Sequence, residues 1–309
     1  MLLAFDGGSL MYRMVYAHTK QALSTTNGGT GTLFFLLKSL RSYIMSFHPD
    51  RVIMVMDAGY SERRRSLNAD YKSGRGLRLD GTEDVERQAI MEDIRRQRAW
   101  AEKMLPAFGV RKIKLAGREA DDLLAQLALE AERRQERMVI VSDDKDMLQL
   151  IGPNVEVFRP RADETVTAEN FLEKTGVSTP EQWLTWKCIV GDSSDRVPGV
   201  HGVGEKSAVM AVQAGLTLDV DSLISMTEHS NKRVRLIGEQ LDTVLFNRDL
   251  LDLYAEEFSE ELIQRIHDSA YKGLTHVSLK DVMDWCKKFE FASILSDLQN
   301  WITPFESIR

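Results

Sequence analysis

Short apolar runs alternate with longer stretches of helical spacing along the first half of the chain. Leu2–Phe5, Val52–Met56, Met138–Ser142 and Val155–Phe158 are rich in Val, Ile, Leu, Phe and Met and too short for helices, so they predict buried strands. Between them, Thr32–Phe47 and Glu119–Arg134 repeat apolar residues at helical intervals. In the second stretch Leu123, Leu124, Leu127 and Ala128 share one face, opposite Glu132, Arg133 and Arg134. Strands alternating with helices predict a parallel sheet in an α/β layer fold. From Tyr60 to Trp100 the pattern changes: polar, glycine-bearing segments lead into a charged helix, Glu83–Lys103, with few core-facing residues. A long insertion of this kind between a strand and the next unit is commonly functional. After about Thr167 the strand pattern stops and the chain reads as helical to its end, which sets a boundary near Pro160 between residues 1–160 and 161–309.

That periodicity gives the acidic residues their meaning. Asp6 and Asp57 each directly follow an apolar strand, and Asp144 comes two residues after one. Glu119, Asp121 and Asp122 open a helix, Asp146 follows Asp144, and Asp192 and Asp195 stand three apart in a turn-rich segment. In a parallel sheet the carboxyl ends of the strands form one edge, and ligands bind there. Carboxylates crowded at such an edge repel one another unless a cation compensates, and Mg²⁺ and Mn²⁺ take oxygen ligands. The pattern therefore points to metal-assisted phosphate chemistry. Taken singly, the acids near a helix start also fit helix-dipole stabilisation. Asp143 is the expected N-cap of the turn that follows its strand, leaving Asp144 and Asp146 to face the cleft, with Lys145 as a local counter-charge.

Composition sharpens the picture in three places. Hydrophobic content of 43% and charged content of 28% suit a globular protein. Cys188 and Cys286 lack a metal or redox spacing and are expected to be reduced. The N-terminus has neither a basic region nor a long apolar stretch, so it is expected to be a strand and not a signal peptide; no run of 18 apolar residues occurs, and a soluble, cytoplasmic protein is expected. No heptad demands a dimer, and a monomer is expected. The formal net charge of −7 hides segregation: Tyr60–Lys114 holds 14 Lys and Arg against 9 Asp and Glu. A basic surface beside an acidic pocket suits a polyanion. Arg95, Arg96 and Arg98 alone read as a solvated helix face.

Two further motifs bear on binding. Gly199-Val-His-Gly-Val-Gly-Glu-Lys is a glycine hairpin running into a helix. Gly199, Gly202 and Gly204 permit sharp turns and close approach, while the helix-start amides, Lys206 and the adjoining Ser207 suit a phosphodiester. Tyr71-Lys-Ser-Gly-Arg offers Lys72 and Arg75 to a scissile phosphate and Tyr71 to an unpaired base, although a solvated basic loop has the same composition.

Together, Phe5-Asp-Gly-Gly-Ser-Leu-Met-Tyr-Arg, Val55-Met-Asp-Ala-Gly, Tyr71-Lys-Ser-Gly-Arg, Gly117-Arg-Glu-Ala-Asp-Asp, Asp144-Lys-Asp-Met and Gly191-Asp-Ser-Ser-Asp with its hairpin resemble the flap endonuclease family of structure-specific 5′-nucleases. The likeness is to the bacterial and phage form, including the 5′-nuclease domain of repair-type DNA polymerases, and it spans nearly the whole chain, which suggests a stand-alone nuclease. It implies a PIN-like α/β nuclease core, a helical arch over the active site at about 74–103, and a helix-three-turn-helix that grips duplex DNA at about 187–215. It further implies Asp6, Asp57, Glu119 and Asp121 as ligands of one metal ion and Asp144, Asp146, Asp192 and Asp195 as ligands of a second, with Asp122 close by. The ions would be Mg²⁺, with Mn²⁺ as a substitute and K⁺ at the helix-three-turn-helix. The implied partner is DNA with a 5′ flap or 5′ end, or an RNA primer, cut by a two-metal-ion mechanism with Lys72 and Arg75 at the scissile phosphate and Asp144 essential. Two positions depart from the family, which usually has Asn where Arg196 stands and small or basic residues where His201 stands. A single-strand ribonuclease on the same core and a non-catalytic DNA-binding protein are the rival readings.

Overall fold

The computed structural model describes residues 1–18, 24–25, 28–73 and 85–308. Six strands form one sheet: β1 Leu2–Asp6, β2 Arg51–Val55, β3 Arg111–Ile113, β4 Met138–Val141, β5 Val155–Arg159 and β6 Glu164–Val166, in the order β3-β2-β1-β4-β5-β6. All neighbours are parallel except β5 and β6. The four strands expected from the apolar runs are present. The edge strands β3 and β6 were not expected, because three-residue segments carrying Arg, Lys, Glu and Thr leave no apolar run to notice.

The chain builds outward from β1 toward β2 and β3, then returns to lay β4 on the other side of β1. The strand order therefore reverses between β1 and β4, the place where open α/β sheets form a crevice. Asp6 ends β1, and Ser142 and Asp144 follow β4 at that same crevice.

Alternation along the strands divides the interior into two cores. Leu2, Ala4, Ile53, Val55, Met138 and Ile140 face one side, which is covered by α5 (Ala120–Arg134) and by helices that follow the sheet, including α7 (Pro180–Val190), α8 (Glu205–Gln213), α10 (Lys232–Glu239), α11 (Leu241–Leu251) and α12 (Glu260–Tyr271). Leu3, Phe5, Val52, Met54, Val139 and Val141 face the other, covered by α1 (Gly7–His18), α2 (Gly31–Phe47), α4 (Val85–Met104) and the terminal helices α13 (Leu279–Lys288) and α15 (Leu298–Glu306). The helical part beyond Pro160 thus shares both cores with the sheet. α3 (Glu62–Leu67), the short α6 (Phe171–Thr175), α9 (Val220–Ser225) and α14 (Ala292–Leu295) complete the α-helices among the described residues.

α4 is the described portion of the expected arch; residues 74–84 lie outside the described residues. Its second half is more embedded than its charge suggests. Ile94, Gln97, Ala101 and Met104 are buried, and the Gln97 Oε1 accepts the Leu33 amide at 3.1 Å.

Candidate active site at the strand ends

The turn from β1 into α1 is tight. A Cβ on Gly7 would lie 2.4 Å from the Met56 Sδ and 2.8 Å from the Val55 carbonyl, so the site requires glycine. One placed on Gly8 would lie 3.1 Å from Asp57 Oδ2 and 3.4 Å from Asp6 Oδ1, which shows that both carboxylates flank that backbone. Asp6 is buried and held from both sides, by the Ser9 amide at 3.0 Å and the Ser142 hydroxyl at 2.8 Å. Asp57 accepts the Ala120 amide at 2.9 Å and so caps α5 from a neighbouring strand. Glu119 occupies the N-cap position without capping, which leaves its carboxylate for the cleft.

Asp144, rather than the expected Asp143, caps the short 3-10 turn Lys145–Leu150, accepting the Asp146 amide at 2.8 Å. Asp143 instead accepts the Arg161 amide at 2.7 Å and approaches Arg13. The Asp192–Asp195 segment is a closed loop: Asp192 and Val197 exchange backbone hydrogen bonds of 2.9 and 2.8 Å, and Asp192 Oδ1 accepts from the Ser194 amide and hydroxyl.

Two lysines stand among these acids. The Lys72 ammonium donates to Glu119 Oε1 at 2.8 Å and lies 3.6 Å from Asp195 Oδ2. The Lys187 ammonium contacts Asp146 and lies 3.2 Å from Asp192 Oδ2. Both lysines are buried. Lys187 was not foreseen; its only signal in the sequence is a lysine on the apolar helix that leads directly into Gly191-Asp192. Among the described residues no three acidic, His or Cys side chains converge closely enough to enclose an ion as they stand, and the ammonium groups hold the two halves of the cluster.

The electrostatics show how crowded the acids are. Burial raises the Asp6 pKa to about 7, helped by Asp57 and Asp144. Asp121 is raised well above the carboxylate range, first by burial and then by Asp144, Asp6 and Asp57, against the pull of Lys72. Asp144 reaches solvent, yet its recessed position also raises it, with Asp195 and Asp192 adding repulsion against Lys187 and Lys72. For Asp192, burial pushes upward but is outweighed by Lys187 and Ser194, which hold it below its ordinary value.

Asp122 differs from the expectation that it stands beside a metal. It is fully buried, and both its oxygens accept from Arg64, at 3.0 Å from Nη1 and 2.7 Å from Nη2. Arg64 Nη1 also donates to Glu119 at 2.8 Å, and its Nε donates to the Leu250 carbonyl at 2.8 Å. Arg64, the centre of Arg63-Arg64-Arg65 within the basic Tyr60–Lys114 segment, is therefore a buried strut between α3, α5 and α11.

Tyr71 also differs from the expected stacking platform. It is 5% exposed, its hydroxyl donates to Glu119 at 3.3 Å, and the Lys72 ammonium lies 4.9 Å from its ring centroid. Lys72 itself has a left-handed backbone, φ 56°, tied by its amide to the Asp195 carbonyl at 3.2 Å. Arg75 lies outside the described residues.

A cavity of about 780 Å³ opens beside the acids, lined by Asp57, Glu119, Tyr60, Ser73, Arg95 and Arg98 among others. Arg98 donates to the Asp57 carbonyl and lies 3.7 Å from its carboxylate, so it belongs to the site rather than to a solvated face. Arg96 keeps to that face, paired with Asp93 and lying over Trp100.

At the glycine hairpin, Gly202 (φ 81°) and Gly204 are exposed, with Gly204 at the N-cap of α8 and Lys206 exposed one residue into the first turn. Open space surrounds the Cβ position of Gly204. Gly199 serves packing instead: a Cβ there would lie 2.2 Å from the Val190 carbonyl. Ser207 is buried.

The family described as 5′-3′ exonuclease, N-terminal resolvase-like domain, matches residues 1–176. A 5′-3′ exonuclease of Aquifex aeolicus is 34% identical over 209 residues, covering 67% of each chain. DNA polymerase I of Caldicellulosiruptor bescii is 28% identical over 283 residues, covering 86% of this chain but 32% of its own length. A flap endonuclease of bacteriophage T5, solved in a pseudo-enzyme-product complex with DNA and metal ions, shares the fold with a TM-score of 0.67 at 18% identity, covering 94% of this chain and 98% of its own.

Proposed function

Because the chain belongs to the 5′-3′ exonuclease family with the resolvase-like N-terminal domain, we propose that it hydrolyses phosphodiesters at 5′ flaps and 5′ ends of DNA, or of RNA primers, with Mg²⁺ at the strand ends. Mn²⁺ would substitute there. The observation that carries this reading is the mutual repulsion of Asp6, Asp57, Asp121 and Asp144 at the crevice. An all-oxygen donor set whose acids outnumber the two lysines among them fits a hard divalent cation. Asp6, Asp57, Glu119 and Asp121 would hold one ion, and Asp144, Asp146, Asp192 and Asp195 another. Held by these residues, such ions would supply Lewis acidity toward the attacking water and the leaving oxygen. Both oxygens of Asp122 are held by the buried Arg64, whereas Glu119 gives one of its oxygens to Lys72, so Asp122 is left out of the ligand set.

The protein's own groups do the rest. Lys72 and Lys187 neutralise the acids in the metal-free protein. Once released from Glu119, the Lys72 ammonium is placed to meet a phosphate oxygen, where charge builds during the reaction. Arg95 and Arg98 place positive groups on the wall of the adjoining cavity, beside the acids Asp57, Glu92 and Glu119, where they can meet the phosphates of an entering strand. The exposed amides of the hairpin with Lys206 bind a duplex phosphate without reading sequence, and K⁺ is proposed at this turn. Residues 1–160 carry the chemistry and 161–309 the duplex contacts, with the hairpin region at about 187–215.

A 5′-labelled flap and its matched single strand, incubated with Mg²⁺, test the proposal. Products mapping to the flap junction are expected. Cutting of the single strand alone would move the protein to a single-strand nuclease.

A further inference from the structure

We propose that Gln240 is a positioning residue for duplex binding, holding the glycine hairpin in the shape that presents its amides to a phosphate. The inference rests on the reading of that hairpin as the duplex contact. Gln240 lies at the junction of α10 and α11, far along the chain from the hairpin. Its side-chain amide reproduces a backbone pairing: Oε1 accepts the His201 amide at 2.9 Å, and Nε2 donates to the His201 carbonyl at 3.1 Å. Nε2 also donates to the Leu236 carbonyl at 3.3 Å, which anchors the side chain to its own helix.

His201 is the residue before Gly202, at the exposed tip of the turn. Within the hairpin the turn is closed by one bond, from the Val203 amide to the Val200 carbonyl at 3.1 Å. The side chain of Leu236, one turn before Gln240 on α10, packs beneath the tip, with its Cδ1 3.0 Å from the Cβ position of Gly202. The base of the hairpin is fixed separately. Asn247 on α11 is fully buried and donates to the Cys188 carbonyl at 2.8 Å and the Pro198 carbonyl at 2.5 Å. Base and tip thus have different supports, and the tip depends on Gln240 alone for pairing of the His201 amide and carbonyl among the described residues. A tip left unpaired samples more conformations, and ordering them is a cost taken from binding. Because the hairpin lies outside the acid cluster, that cost falls on duplex affinity and leaves the chemical step unchanged.

The test compares wild type, Gln240→Leu and Lys206→Ala on one flap substrate. Equilibrium binding is read by anisotropy in EDTA, kcat at saturating substrate in Mg²⁺, and amide hydrogen exchange in a peptide spanning 199–204. Gln240→Leu is expected to raise Kd about tenfold, the size of one lost hydrogen-bonded pair, with kcat unchanged and faster exchange at the hairpin. Gln240 is only half-buried, so thermal unfolding of the variant is expected to match wild type. Unchanged Kd in Gln240→Leu with weakened binding in Lys206→Ala would overturn the role of Gln240. Unchanged Kd in both variants would remove the hairpin from duplex binding altogether, and the proposal with it.

Discussion

Burial, with Asp57 and Asp144 close by, pushes the Asp6 carboxyl up to about 7. The sign of the consequence follows from linkage. With the folded pKa raised, the native state binds more protons than the unfolded chain between about pH 4 and 7, so stability is full below that window and is lost as pH rises through it. The contribution of one such group is at most ~4 kcal/mol. In EDTA, melting temperature is expected to fall between about pH 4 and 7, and Asp6→Asn is expected to flatten the fall. A profile in the variant as steep as in wild type would remove Asp6 as its source. A second residue carries strain of another kind. Arg196 adopts φ 59°, a left-handed conformation that Asn tolerates better than Arg. That accounts for the Asn expected at this position from the family resemblance. Arg196→Asn should stabilise the protein by ~0.5 kcal/mol, raising the melting temperature by about 1–2 °C, and a lowered value would show that the arginine side chain contributes something the turn needs.

At the scale of elements, the buried Arg64–Asp122 pair fixes α3 to α5 while Arg64 also orients Glu119. Removing either partner leaves a buried charge unpaired, which typically costs about 3–5 kcal/mol. Arg64→Met and Asp122→Leu should each destabilise on that scale, and the double variant should recover a large part of the loss. Additive losses in denaturant unfolding would mean the pair is not coupled. This strut also marks the limit of what was legible in the sequence. The apolar runs disclosed β1, β2, β4 and β5, and the acids after them disclosed which edge of the sheet matters, because both signals are local. Whether an arginine in Arg63-Arg64-Arg65 faces water or α5 is decided by a helix 55 residues away in sequence, and no local period records it. The same holds for Lys187, for the burial of Tyr71 and for the strands β3 and β6, whose places are set by partners distant along the chain.

For the whole molecule, the proposed reading separates chemistry from grip. The sheet crevice between β1 and β4 gathers acids from five segments of the chain, and the later helices present the hairpin on a body that shares the sheet's core. The same helices reach back through Arg64 to the acid cluster, so the two parts have a fixed relation. On that reading the gathered acids serve metal-dependent cleavage. Single-turnover cutting of a labelled 5′ flap, with and without Mg²⁺, by wild type and Asp144→Asn at saturating enzyme tests it most directly. Cutting in Mg²⁺ that is absent in EDTA is expected, with a loss of about three powers of ten in Asp144→Asn and flap binding retained. Equal cutting in EDTA, or a near-wild-type rate in Asp144→Asn, would contradict it.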